Sequence, residues 1–204
     1  MGISERKERQ RKEVRDSILN SAWQLVNEEG WQNLSIRRIA DAIEYSVPVV
    51  YDHFENKEAI LSEFNKRGFQ LLGDKLKEAK DQHAKSNQQL EAIAFAYWDF
   101  AFENKEYYQL MYGVGMPTCE SLSKVPELMA FIGTIHSTIE QLLNENNNKT
   151  DTWLKVHSFW STIHGLVSIN LVSPQVAHMG MSINDFNRTI LKDFLKGFLR
   201  GMQE

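Results

Sequence analysis

Ser35, Arg37, Tyr51, His53 and Lys57 fall inside one stretch of the chain, SIRRIADAIEYSVPVVYDHFENK, residues 35–57. All five side chains can donate hydrogen bonds, and two are permanently cationic. Together they suit a polyanion with readable edges. Arginine can engage guanine O6 and N7 through paired donors. A tyrosine hydroxyl or a lysine ammonium can hold a phosphate oxygen. Lys57 falls in the first turn of a helix, where free backbone N–H groups already favour an anion and a lysine would otherwise oppose the macrodipole. Val47, Pro48 and Val49 supply apolar surface of the kind that meets thymine methyl groups. Solvated surface positions are the plain alternative for Arg37 and His53.

The elements that carry these groups read as two short helices joined by a turn, with a third starting at once. Ile36, Ile39, Ala40 and Ile43 recur at helical spacing and give the first a buried face. Ser35 can cap that helix. Ser46 is expected to cap the second with its hydroxyl, and Pro48 sits in the first turn, where a missing N–H costs nothing. Val50 and Phe54 make the buried stripe, leaving Pro48, Tyr51, Asp52 and His53 outward. Such a pair lays one helix in a major groove and braces it with the other.

Net charge is −4, but residues 1–15 hold six basic side chains (Arg6, Lys7, Arg9, Arg11, Lys12, Arg15) against three glutamates. Screening makes phosphate attraction local, so a basic arm on an acidic body is compatible with DNA. Helical i,i+4 pairs such as Glu5–Arg9 account for part of the same pattern. The single cysteine, Cys119, excludes a disulfide framework and a Cys-rich zinc site. No apolar signal core opens the chain, which points to the cytoplasm. Residues 156–184 lack Asp, Glu, Lys and Arg, yet carry too many polar groups, with Pro174, for a membrane span.

Strand-like alternation is almost absent, so the fold class is all-α with about nine helices. The expected helices run from about 4–29, then the short pair, then about 57–80 with Ile60, Leu61, Phe64, Leu71 and Leu72 inward. Ser86 and Gln89 have capping-box spacing for the fifth, ending at Phe102. Others cover about 105–112, 126–144, one capped by Thr150, and one opened by Ser182 and Asp185. The division is a helix-turn-helix domain with a basic arm over 1–55 and a larger helical domain over 56–204.

Within the larger domain, Trp98, Phe102, Tyr108, Met111, Tyr112, Phe131, His136, Trp160 and His164 combine aromatic and Met surface with polar tips. That composition describes ordinary core and also a small-molecule pocket. Asp99 or Glu103 could select a cation if turned inward. Ser158, Ser161, Gly165 and Ser168 form a line of small residues on one helix, and Phe194, Gly197, Phe198 and Gly201 lie on the last. Small residues permit close helix approach. The same faces could also pack within one chain.

The stretch from Ile18 to Leu61, with Ser35-Ile36-Arg37-Arg38-Ile39-Ala40 and Val50-Tyr51-Asp52-His53-Phe54-Glu55-Asn56-Lys57-Glu58, resembles the TetR family of one-component transcriptional regulators. Trp160-Ser-Thr-Ile-His164-Gly165 is similar to the Trp…His-Gly signature of one of its subgroups. One departure is Glu44, which stands where the family usually carries glycine in the turn. The resemblance implies a homodimer formed through the last two helices, a double-stranded palindromic DNA operator and a small apolar or aromatic effector that releases it. No cofactor, metal or membrane partner is implied. Neither HExxH, a phosphate-binding glycine loop nor a nucleophile motif occurs, which argues against an enzyme. A helical interaction or small-molecule-binding module without DNA binding is the rival reading.

Overall fold

The computed structural model describes residues 3–113, 126–172 and 183–203. Among them are nine α-helices and no strand: α1 Ile3–Glu29, α2 Ile36–Ala42, α3 Val47–Tyr51, α4 Lys57–Asp81, α5 Ser86–Glu103, α6 Lys105–Tyr112, α7 Pro126–Glu145, α8 Thr152–Val172 and α9 Ile183–Arg200. The all-α expectation holds. Ser182, Pro174, Cys119 and most of the loop after Tyr112 lie outside the described residues. No described helix is long and apolar enough to cross a membrane.

The described residues form two compact units. One comprises 3–68 with 106–113, so it takes in the start of α4 and nearly all of α6, beyond the boundary drawn at residue 55. The other comprises 69–105 and the described residues from Pro126 onward.

The first unit is built on apolar faces that the sequence spacing already marks. Ile18, Leu19, Ala22 and Val26 of α1 meet Ile36, Ile39 and Ala40 of α2, Val50 of α3, Phe54 just after α3, Ile60 and Phe64 of α4, and Leu110 of α6. Gly30 ends α1 at φ 79°, which glycine adopts without steric cost. α2 ends in a left-handed cap at Glu44, φ 58°. Tyr45 N–H donates to the Ala40 carbonyl (3.0 Å) and Glu44 N–H to that of Asp41 (3.2 Å), the paired bonds of a Schellman motif. The turn therefore keeps the geometry a glycine would favour, with a glutamate in its place. α4 approaches α6 closely at Gly68, where an added Cβ would lie 2.6 Å from Met111 Sδ.

In the second unit α5 packs against α7 and α8, and α8 against α9. Leu90, Ile93, Ala94, Tyr97, Trp98, Phe100 and Ala101 of α5 are buried. α7 ends as α2 does: Asn147 adopts φ 54°, and Asn148 N–H reaches the Leu143 carbonyl at 2.9 Å. Asparagine tolerates this region, which gives the Asn run a structural use.

Several local expectations change. Ser46 makes no side-chain capping bond. Ser86 lies inside α5, behind Lys85 at the N-cap, and its buried hydroxyl binds Glu145 of α7 instead. Gln89 turns to the His83 carbonyl (2.8 Å). Asp151, not Thr150, caps α8 by accepting from Leu154 N–H at 2.8 Å. Leu71 is exposed rather than inward. At Ser86, Gln89 and the start of α8, a tertiary or neighbouring partner outcompetes the expected one. Asn56, by contrast, satisfies the start of α4 locally, accepting from Ala59 N–H at 2.8 Å.

Candidate nucleic-acid interface and sensor core

α2 and α3 position the first set of residues. Ser35 is the N-cap of α2, and its hydroxyl accepts from Arg38 N–H at 3.3 Å. Arg37 is exposed and has no ion pair or hydrogen bond among the described residues, whereas Arg38 is committed. Arg38 forks onto the Glu29 carboxylate and the Asn33 carbonyl (3.2 Å), clamping α2 to the end of α1. That bond holds the Glu29 carboxyl below its ordinary value. Adjacent arginines thus divide the work, one for the fold and one left facing solvent.

Val50 and Phe54 anchor α3 inward, and Pro48, Tyr51 and Asp52 face out. Val47 is half-buried against the core of this unit. Val49 and His53 line a groove with Tyr45 and Asp52 on one side and Lys7, Gln10, Arg11 and Val14 of α1 on the other. Arg11 Nη2 donates to the Asp52 carbonyl at 3.4 Å, at the C-terminal end of α3. Burial, then Arg11, push the His53 imidazole below its ordinary value, with Asp52 opposing and Arg15 adding to the effect. Lys57 Nζ reaches the Trp31 carbonyl at 3.4 Å from the first turn of α4. Tyr45, about half exposed, was not marked as a site residue from sequence. Its position beside the Glu44 cap is the signal that turns it outward.

The pocket residues do not form one set. Trp160 and His164 of α8 meet around Tyr97 of α5, a buried residue that sequence reasoning passed over. Trp160 Nε1 donates to Tyr97 Oη at 3.3 Å, and Tyr97 Oη lies 3.2 Å from His164 Nδ1. Ser168 Oγ is 3.4 Å from His164 Nε2. Phe131 of α7 joins the group, its ring centroid 6.2 Å from that of Tyr97. Burial lowers the affinity of His164 for a proton.

Trp98 packs at a tilt on Phe102 (ring centroids 4.6 Å apart), but Phe102 is 41% exposed. Tyr108, Met111 and Tyr112 sit on α6 in the first unit. His136 packs on Trp153 (4.6 Å) and lies 4.0 Å from Glu140. Asp99 binds Arg188 and Glu103 binds Lys75, so both carboxylates are already neutralised. Among the described residues no cluster of His, Cys, Asp and Glu is arranged to hold a metal.

Ser158, Ser161 and Thr162 of α8 are exposed, and Leu154 and Ile169 on that helix expose 59% and 67% of their surface. Nothing lies within 4 Å of a Cβ built on Gly165 or Gly197. Ser168 is half-buried by its contact with His164. Phe198 and Phe194 pair with each other (5.5 Å), and Phe198 also meets Phe159 (5.6 Å) within the chain. Gly201 lies beside Lys155, whose Nζ binds its carbonyl at 3.1 Å.

A helix-turn-helix unit joined to a helical bundle with an aromatic interior defines a class of bacterial regulators. The family model described as "Bacterial regulatory proteins, tetR family" matches residues 18–70, and "Tetracyclin repressor-like, C-terminal domain" matches 90–193. The chain belongs to the TetR family of transcriptional regulators. Over 92 residues it is 28% identical to the uncharacterized HTH-type regulator YobS of Bacillus subtilis, covering 45% of this chain and 48% of YobS. Over 129 residues it is 27% identical to IcaR of Staphylococcus aureus, the negative transcriptional regulator of the biofilm operon icaADBC, covering 63% of each. The matched stretch is thus about half of the first relative's length. In fold it is similar to a Rhodococcus protein of unknown function (TM-score 0.77, 21% identity, 94% and 96% of the two chains). It is also similar to FadR of Bacillus subtilis in complex with stearoyl-CoA (TM-score 0.67, 16% identity, 89% and 97%).

Proposed function

We propose that this chain is a repressor that binds a palindromic operator as a homodimer and is released by a small apolar or aromatic effector. The observation that carries this reading is the outward face of α3. Pro48 and Tyr51 are exposed there, flanked by the uncommitted Arg37 and by Lys57 at the start of α4. Ser35, Val47, Val49 and His53 complete the contact set. The name of IcaR as a negative regulator supports repression over activation.

Specificity comes from few charged groups, because α3 itself carries neither Lys nor Arg. Arg37, apolar contacts and DNA shape carry it instead. Dimerisation through α8 and α9 places two reading helices about 34–36 Å apart, or a multiple of that, on one side of the duplex. The open space at Gly165 and Gly197 supports close approach of a second copy.

The effector site is the interior of the second unit around Phe131, Trp160 and His164, with Tyr97 added. The stearoyl-CoA bound to FadR is an apolar-chain precedent in that protein. Release follows from linkage: an effector that favours dimers with misplaced reading heads lowers operator affinity in proportion to its preference. A hundredfold loss needs about 2.7 kcal/mol of coupling. α4, which contributes residues to both units, is the route.

The test is selection of bound sequences from a random duplex library, followed by anisotropy titration of the selected duplex. Enrichment of an inverted repeat bound by a dimer supports the reading. Salt-dependent binding with no enriched repeat, or no binding, rejects it and leaves the interaction-module alternative.

A further inference from the structure

α1 is helical for about four turns before its first fully buried residue, Ile18. That leading part carries the basic residues, and one face of it, Lys7, Gln10, Arg11 and Val14, lines the groove opposite Tyr45, Val49, Asp52 and His53. Lys7, Arg11 and the imidazole stand there against one carboxylate, Asp52. Arg11 spends one guanidinium nitrogen on the Asp52 carbonyl, which fixes the guanidinium at the groove wall and leaves its remaining donors. Tyr45, about half exposed, brings a hydroxyl to the same wall. The groove thus combines cationic donors with a neutral one, each able to bind a phosphodiester oxygen.

We propose that the groove between α1 and the end of α3 seats one DNA backbone phosphate, held by Lys7, Arg11 and Tyr45, and that DNA binding takes up a proton at His53. The inference rests on the DNA-binding reading above. The charged and titratable groups facing His53 are Lys7, Arg11 and Arg15 from α1, with Asp52 and Tyr45 from the α2–α3 segment. Without DNA, burial and then Arg11 hold the imidazole's affinity for a proton below its ordinary value, with Asp52 opposing. A phosphate beside Arg11 offsets that cationic field and accepts a hydrogen bond from the imidazolium, so the charged form is favoured in the complex. A group whose pKa rises on binding makes the complex tighter as pH falls through the pKa of the bound state towards that of the free state, which lies below the ordinary histidine value.

The experiment uses the full chain and a labelled random-sequence duplex of about 30 base pairs, which carries the phosphates without requiring a known operator. Affinity is measured by anisotropy from about 50 to 300 mM KCl and from about pH 6 to 8. Lys7→Ala should reduce the slope of log K against log salt by about one per bound protomer. Wild-type affinity should rise as pH falls, approaching tenfold per pH unit for each proton taken up. His53→Gln should remove that dependence while retaining salt-dependent binding. Circular dichroism establishes that each variant is folded. Wild-type binding with an unchanged slope in Lys7→Ala, or a His53→Gln variant that keeps the full pH dependence, overturns the proposal alone. Absence of any wild-type binding at low salt overturns the DNA-binding reading itself.

Discussion

Tyr97 Oη on α5 and His164 Nδ1 on α8 lie 3.2 Å apart. Trp160 Nε1 donates to the same hydroxyl at 3.3 Å. On the other side of the ring, His164 Nε2 lies 3.4 Å from Ser168 Oγ. The chain of bonds runs from a buried residue of α5, through the histidine of the Trp…His-Gly signature, to a half-buried serine of α8. It fixes the register of two helices in the unit assigned to effector binding.

Tyr97→Phe removes the hydroxyl and keeps the ring. Loss of its bonds to Trp160 and His164 should lower stability by about 1–3 kcal/mol. Calorimetry checks this. A variant as stable as wild type would show that the chain contributes nothing net.

His164 is held below its ordinary value by burial, so the unfolded chain binds a proton there before the folded one does. Above about pH 6.5 both states are neutral and the group has no effect on stability. As pH falls below that value, stability is lost until the folded-state pKa is reached. Melting temperature should therefore drop on acidification, and His164→Gln should flatten part of that drop. Parallel wild-type and variant curves would contradict the assignment.

Glu44 holds φ 58° at the end of α2. A non-glycine residue there costs about 1–2 kcal/mol, and glycine relieves it while conserving the Schellman bonds. Glu44→Gly should raise the midpoint of unfolding by a few degrees. An unchanged or lower midpoint would mean that the side chain compensates.

α6 is bound into the first unit by an aromatic cluster. Tyr107 stacks on Trp23 at 4.2 Å, Trp23 on Phe64 at 5.5 Å, and Trp31 Nε1 donates to the Glu106 carbonyl at 2.7 Å. Tyr107→Ala should cost about 2 kcal/mol and weaken DNA binding by loosening the unit. Hydrogen exchange at α1 and α6 amides checks it, with faster exchange at both expected.

Gly165→Leu has open space within one chain. The substitution should leave the protomer folded and break the proposed α8–α9 dimer, shifting the mass measured by light scattering to that of one chain. An intact dimer would move the interface off this face of α8.

Much of the first unit was legible in sequence because its signals are local. Ile36, Ile39 and Ala40 repeat at helical spacing, Asn56 satisfies the start of the helix that follows it, and Pro48 marks a first turn. Ser86 misled for the opposite reason. Its capping-box spacing with Gln89 is a local pattern, yet the hydroxyl answers to Glu145, 59 positions away. Tyr97 escaped notice because nothing near it in the chain distinguishes it from the other aromatics of α5.

Period, caps and motif spacing by themselves determined the all-helical class, the helix pair and the outward set at Pro48, Tyr51 and Asp52, since each depends on residues within a turn or two of one another, whereas His53, expected outward, is half-buried in the groove against α1. Only the tertiary structure decided that Arg38 serves the fold while Arg37 does not, that α6 joins the first unit, and that Tyr97 completes the group at His164. Those outcomes depend on which side chains meet across tens of residues, and hydrogen bonds and burial between distant segments leave no periodic trace in the chain.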